Sequence, residues 1–359
     1  MSLKLDDCKR ILIIKLSSIG DVVMTTPVAK ALRSALPGSY IAWVVDDKSK
    51  DVVTGNPYLD EIIVWNRNSA DGSVLRKAGR LAGGLTQLCS ELRARRFDVA
   101  IDFQGLFRSA LLAWISGARY RLGYDNAREG GSFFYNVRLP ARQRGVRGPQ
   151  QYLSILELLN IFSDDLDMYM PIGDDDRSAA RDLIAEATPY HPGEKGIAAL
   201  CPATTWRQKH WTEEGWALLA DALISEHCVV PVFLGSRADV ELIDRILGLM
   251  KCKASNLAGK TTLKQAAAIL EQSRLVIAVD TGLLYIALAL GRPAIGVFGP
   301  TRWRHFAEKD NLVVVAKDFS CMPCLRHPTC RHFDCMRAIT AEEILSAAGQ
   351  WLAGVKAQT

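Results

Sequence analysis

The feature that most constrains this chain is a repeated alternation: short runs of β-branched and aliphatic residues, each followed by a helix-length amphipathic stretch. Parallel strands buried on both faces read as short apolar runs, and the helices that cross between them carry one apolar side. The pattern therefore predicts an α/β fold of doubly wound sheets. In the first half, strands are predicted at Ile11–Lys15, Ile41–Val45, Ile62–Val64 and Val99–Phe103, with helices at Val22–Leu36, Leu81–Arg95 and Phe107–Trp114. A helix is expected from Tyr152 to Phe162, and the acidic clusters Ser163-Asp164-Asp165 and Asp174-Asp175-Asp176 read as a boundary. The second half repeats the pattern, with strands at Ile197–Cys201, Val229–Leu234, Leu275–Asp280, Ala294–Phe298 and Leu312–Ala316. Its helices are expected at Glu213–Glu226, Ala238–Leu249, Leu263–Gln272 and Gly282–Leu290. Thr340 to Lys356 closes the chain as a helix, with Thr340 and Glu343 at capping-box spacing.

A single core rarely keeps growing beyond about 250–300 residues. The 359 residues are thus expected to form two domains, 1–170 and 171–340, with a C-terminal helix at 341–359. The longest unbroken apolar run, Leu283–Leu290, has eight residues, against the ~20 that a spanning helix needs. The charged start, Lys4 to Arg10, precedes an apolar run too short for a secretory leader. A cytoplasmic protein is expected.

The net charge of +5 is concentrated, because Arg119, Arg121, Arg128, Arg138, Arg142, Arg144 and Arg147 face only Asp125 and Glu129 in one stretch. Such a stretch suits an anionic partner, although a solvated surface has the same composition. No aromatic-interleaved or finger-like pattern accompanies it, so no nucleic-acid partner is expected. The nine cysteines are expected to be mostly reduced thiols. Four of them, Cys321, Cys324, Cys330 and Cys335, lie close together with His327 and His332 between them, open to reading as a zinc or iron–sulfur knuckle or as free thiols.

Three segments carry chemistry. In Lys15-Leu16-Ser17-Ser18-Ile19-Gly20-Asp21, Gly20 is expected to turn the chain sharply after the first strand and to set Asp21 at a helix start. A carboxylate there can accept a proton from an attacking hydroxyl, or it can simply cap the helix. In the loop Cys201 to Trp211, Thr204, Thr205 and Lys209 can hold the oxygens of a diphosphate; the alternative is an ordinary loop in which Trp206 and Trp211 pack and Thr212 caps the next helix. At Asp280-Thr281-Gly282 a strand ends and an apolar helix begins, offering unpaired N–H groups as a phosphate seat, with Gly299-Pro300-Thr301 able to approach it.

Taken in order, Ser17-Ser18-Ile19-Gly20-Asp21, Asp102-Phe103-Gln104-Gly105-Leu106, Thr204-Thr205 with Lys209-His210-Trp211, Asp280-Thr281-Gly282 and Gly299-Pro300-Thr301 resemble glycosyltransferase family 9. Phe107-Arg108-Ser109-Ala110, Ala127-Arg128-Glu129 and Phe134-Tyr135-Asn136 bring it nearest to the type I heptosyltransferases of that family. The resemblance implies a GT-B fold of two Rossmann-like domains, acceptor-binding then donor-binding, an inverting reaction, and no catalytic metal or other cofactor. It implies ADP-heptose as donor and the anionic inner core of lipopolysaccharide, Kdo-lipid A, as acceptor. The enzyme it implies is a monomer, peripheral to the cytoplasmic face of the inner membrane. By position, Asp21 would be the general base. Thr204, Thr205, Lys209, Asp280, Thr281, Gly282 and Thr301 would bind the donor, and Ser18, Gly20 and Gln104 the acceptor; the charge of Arg119, Arg121 and Arg128 suits the same anionic acceptor or, as the alternative, an anionic membrane surface. Tyr285 stands where the type I pattern has histidine, and Arg237 where it has glutamate. These departures keep open another nucleotide-sugar donor; a non-catalytic nucleotide-sugar binding module and a nucleotide-sugar epimerase on the same two domains are the alternatives to transfer.

Overall fold

The computed structural model describes residues 8–65, 86–140, 148–187, 196–301, 303, 310–324 and 330–352. The chain divides into two compact units, Met1–Pro171 and Ile172–Thr359. Each is built on a six-stranded, all-parallel sheet.

The first unit holds β1 (Arg10–Ile14), β2 (Tyr40–Asp46), β3 (Glu61–Trp65), β4 (Val99–Asp102), β5 (Tyr120–Tyr124) and β6 (Val137–Leu139), in the spatial order β3-β2-β1-β4-β5-β6. Its helices are α1 (Ile19–Ala35), α2 (86–94), α3 (Phe107–Ile115) and α4 (Pro149–Leu153). Ile11 and Ile13 on one face of β1 are as fully buried as Leu12 and Ile14 on the other, as a sheet covered on both sides requires. Leu12 and Ile14 share a core with Leu88 and Leu92 of α2 and Leu112 of α3. Pro27 stands inside α1 and offers no N–H to Val23; the Thr26 hydroxyl donates to that carbonyl instead, at 2.7 Å, and accepts from Tyr169 N at 2.8 Å.

Strands β5 and β6 lie inside the arginine-rich stretch and were not expected, because Arg121 and Gly123 interrupt the apolar run and β6 is a three-residue edge. The helix expected from Tyr152 to Phe162 starts earlier, tightens to 3₁₀ geometry over Ser154–Leu159, and stops at Asn160 in the left-handed conformation. The division between the units, at Pro171 and Ile172, falls between the two acidic clusters, and the second of them, Asp174-Asp175-Asp176, is itself helical. It forms the first turn of helix α5 (Asp174–Ala187), where carboxylates interact favourably with the positive end of the helix dipole.

The second unit has β7 (Ile197–Cys201), β8 (Val230–Phe233), β9 (Ser255–Asn256), β10 (Leu275–Val279), β11 (Ala294–Phe298) and β12 (Leu312–Ala316), ordered β12-β11-β10-β7-β8-β9. Around it pack α5, α6 (Glu213–Ser225), α7 (Val240–Leu249), α8 (Leu263–Gln272), α9 (Gly282–Ala289), α10 (Asp334–Arg337) and α11 (Ala341–Leu352). The expected cap of α11 is present: Thr340 N donates to Glu343 Oε2 at 3.1 Å and Glu343 N to Thr340 Oγ1 at 3.3 Å. Ile344, Ala348 and Leu352 join the core of Trp216, Leu219 and Leu223, so α11 belongs to this unit. The remainder of that expected helix, to Lys356, lies outside the described residues, as do Arg142, Arg144, Arg147 and His327.

Both sheets wind outward from one adjacent pair of strands, β1 and β4 in the first and β7 and β10 in the second. Between such a pair the crossing helices depart to opposite faces, and a crevice opens at the carboxyl ends of the strands.

Candidate functional site

In the first unit, the loops after β1 and β4 meet at this crevice. Gln104 Oε1 accepts from both Leu16 N and Ser17 N at 3.2 Å, tying the two loops together. The sharp turn expected at Gly20 is absent: α1 begins at Ile19, and Gly20 is buried within its first turn. The turning glycine of this crevice is Gly105, at φ +65°. Asp21 does cap α1, because its Oδ2 accepts from Ser18 N at 3.3 Å and Ser18 Oγ at 3.0 Å. Its other oxygen, Oδ1, accepts from the Tyr152 hydroxyl at 3.0 Å. Burial pushes the Asp21 carboxyl upward, but the Lys15 ammonium, the Ser18 hydroxyl and amide and the Tyr152 phenol outweigh it, leaving the group below its ordinary value. The carboxylate is therefore ionised and half dressed, with acceptor capacity left on Oδ1.

Beneath it, Asp102 is fully buried at the end of β4. It accepts from Tyr135 OH at 2.6 Å and from Gln104 N at 2.7 Å and Gly105 N at 3.2 Å. Tyr135 approaches only because residue 123 lacks a side chain: a Cβ on Gly123 would stand 2.3 Å from the ring. Burial still raises the Asp102 carboxyl, with these donors offsetting part of the rise.

The second unit places three loops side by side, after β7, β10 and β11, which are neighbours in the sheet. Lys209 Nζ lies 2.6 Å from Asp280 Oδ2 and 4.5 Å from the centroid of Trp206. Tyr285 OH donates to Asp280 Oδ1 at 2.9 Å, and Thr204 Oγ1 to the Asp280 carbonyl at 3.2 Å. Thr281 is the N-cap residue of α9 and gives its first turn no side-chain cap; of that turn, Leu284 N already donates to the Thr281 carbonyl at 3.2 Å. Thr301 Oγ1 is buried and finds no hydrogen-bond partner among the described residues. A hydroxyl in that state fits a ligand oxygen.

The loop also serves the fold. Trp211 packs edge-on against Trp216 at 5.3 Å and donates to Ile339 O at 3.0 Å, while Thr212 Oγ1 accepts from Gly215 N at 3.1 Å as the N-cap of α6. Trp206 instead lies under Lys209.

The sequence profile of glycosyltransferase family 9 (heptosyltransferase) matches residues 85–332. The chain belongs to that family. It is 30% identical over 334 residues to lipopolysaccharide heptosyltransferase 1 of Pseudomonas aeruginosa, covering 90% of this chain and 88% of that one. A family 9 glycosyl transferase from Veillonella parvula superposes with a TM-score of 0.82 at 22% identity over 99% of both chains. An E. coli heptosyltransferase, WaaC, solved with ADP-2-deoxy-2-fluoro heptose, superposes with a TM-score of 0.66 at 25% identity over 95% of this chain and 99% of that chain. The two Rossmann-like units of this family 9 chain are the domain pair of the GT-B fold class.

Within the family 9 frame, not every expected residue reaches the crevices. Arg119 and Arg121 stand at the amino-terminal end of β5, the opposite end of the sheet from Asp21. Arg121 donates to the carbonyls of Phe134 at 2.8 Å and Ala118 at 3.0 Å, so its guanidinium fastens the sheet edge rather than an acceptor. Arg128 is exposed and near enough to Lys15 to depress its ammonium. Two residues without an assigned role now stand in the site: Lys15, visible in the sequence as a lysine ending an apolar strand, and Tyr152, for which no local pattern gave a signal. Arg108, on α3, points its Nη2 at Ser17 Oγ, 3.5 Å away.

No disulfide joins any of the cysteines among the described residues. Burial first, then the neighbouring Cys324, Cys330 and Cys321, push the Cys335 thiol up to about 11. Among the described residues no group of three or more His, Cys, Asp or Glu side chains is assembled to hold a metal ion.

Proposed function

We propose that this family 9 chain transfers heptose from ADP-heptose to the inner core of lipopolysaccharide, Kdo-lipid A, with inversion. The observation that carries this reading is Asp21, an ionised carboxylate at the switch point of the first sheet with acceptor capacity on one oxygen. Asp21 takes the proton of the acceptor hydroxyl. The freed oxygen bonds to the anomeric carbon as the bond from that carbon to the diphosphate breaks, and the electron pair leaves with ADP. Lys209, Thr204, Thr205, Thr301 and the N-terminus of α9 after Thr281 hold the departing diphosphate. The lysine and the helix dipole supply the positive potential that a metal ion provides elsewhere.

On this reading the first unit binds the acceptor and the second the donor. Arg128 and Arg108, exposed and half-buried respectively beside the Asp21 loop, suit the acidic groups of the acceptor. Among the described residues no helix is long and apolar enough to cross a membrane; the proposal is of a monomer that visits the cytoplasmic face of the inner membrane to meet its lipid-linked acceptor.

The test is an assay of the purified chain with ADP-heptose and a Kdo-bearing lipid A, followed by mass spectrometry of the lipid. One added heptose with stoichiometric ADP is expected, and UDP- and GDP-sugars are expected to be poor donors. ADP-heptose left intact with that acceptor, or altered in its absence, would sink the reading.

A further inference from the structure

Lys15 is 4% exposed at the end of β1. Its Nζ donates to the Phe103 carbonyl and to the Tyr152 hydroxyl, each at 3.3 Å, and sits 4.8 Å from the centroid of the Tyr152 ring. An ammonium has only donors, so the phenol oxygen is the acceptor in that bond. Its single proton is then committed to Asp21 Oδ1, 3.0 Å away. Direction runs one way along the chain Lys15, Tyr152, Asp21.

A lysine this buried carries a desolvation penalty that an unbranched apolar side chain of similar length would not. Burial lowers the Lys15 ammonium, with Asp21 and Asp102 pulling it back up and Arg128 adding to the fall. What Lys15 gains for the protein is local: it places positive charge under Asp21 in a site where Trp43 Nε1 fixes the Lys15 carbonyl at 3.0 Å and Phe103 packs edge-on against Tyr152 at 6.3 Å. The polar groups around Asp21 are accounted for from each element: Ser18 at the start of α1, Lys15 from β1, Tyr152 from α4, and Asp102, Arg108 and Arg128 behind them.

We infer that Lys15 and Tyr152 are positioning residues for the base: Lys15 locks the phenol as an acceptor, and Tyr152 holds Asp21 Oδ1 by its one proton, so that the carboxylate meets the acceptor hydroxyl already ionised and aimed. The inference rests on the reading of Asp21 as general base. It adds a second element, α4, to the groups that set the reaction's pH dependence.

Tyr152→Phe keeps the ring and its contact with Phe103 while removing the hydroxyl. Its acidic limb in kcat/KM is expected to move to higher pH by about half a unit or more, with activity recovering above the limb and the dissociation constant for ADP unchanged. Lys15→Met is expected to move the limb in the same direction and further. A loss that is uniform across pH in Tyr152→Phe, with or without a lower Tm, would assign the pair to packing and overturn the inference. An unmoved limb in Tyr152→Phe beside an inactive Asp21→Asn would overturn the inference and leave the base in place. Full transfer by Asp21→Asn would remove the base itself, and the positioning role with it.

Discussion

Lys209 Nζ and Asp280 Oδ2 stand 2.6 Å apart in the second unit, with the two side chains 14% and 12% exposed. The ammonium that the proposed reaction needs for its leaving group is thus already paired with a carboxylate, which orients it but also opposes an incoming diphosphate. Tyr285, donating to the other Asp280 oxygen, shares that carboxylate's charge. Replacing Lys209 with Met removes a charge-assisted contact, of the kind worth about 1.5–3 kcal/mol. The donor KM is expected to rise by about ten- to a hundredfold. Steady-state kinetics check this, and an unchanged donor KM would take Lys209 out of the donor site.

Tyr135→Phe should have a pH-dependent cost. The Asp102 carboxyl is raised on folding by burial, so the folded chain keeps a proton that the unfolded chain has lost, and stability falls as pH rises past the ordinary carboxylate value. Tyr135 is one of the donors that favour the ionised form. Without its hydroxyl the fall steepens: a loss of about 1–3 kcal/mol is expected at pH 7 and less near pH 4. Urea midpoints at the two pH values measure it. Equal losses at both would mean that Asp102 keeps one ionisation state throughout.

Gly123→Ala tests the close approach that seats Tyr135. The new Cβ would meet three ring carbons at 2.3–2.6 Å, so the ring or β5 must move. Overpacking of this kind costs about 1–3 kcal/mol. A lowered Tm is expected, together with reduced transfer, because a displaced Tyr135 disturbs Asp102 under the Gln104 loop. A variant as stable as the parent would show that the ring has room to swing away.

Thr212→Ala isolates the scaffold part of the donor loop. Its hydroxyl accepts from Gly215 N at the start of α6, and loss of such a cap costs about 1 kcal/mol. Chemical denaturation should register that loss while the donor KM stays as it was. A large change in KM would mean that the cap also sets the position of Lys209.

The strands with unbroken apolar runs were legible to the residue, as β7 and β11 illustrate. Burial on both faces leaves a continuous signature in the sequence. β5 was not legible, since Arg121 points to backbone carbonyls and Gly123 makes way for an aromatic ring, and both are tertiary reasons for breaking the run. The segments that carry Asp21, Thr204 and Asp280 could be read because each follows a strand directly. Tyr152 could not, because it reaches Asp21 from 131 residues away, and no local periodicity encodes that meeting. Arg119 and Arg121 were drawn toward the acceptor by their charge; the direction of β5 sends them to the opposite end of the sheet from Asp21.

Since both sheets wind outward from one central pair, most of the candidate site residues stand on the short tips after the strands or in the helix turns that follow them, while the strands themselves hold the hydrophobic interior. A bioengineer seeking another sugar or another lipid can graft the tips after β1 and β4, or after β7, β10 and β11, without rewriting the interior. Exchanges that cut through a strand would trade away the foundation on which such grafts stand.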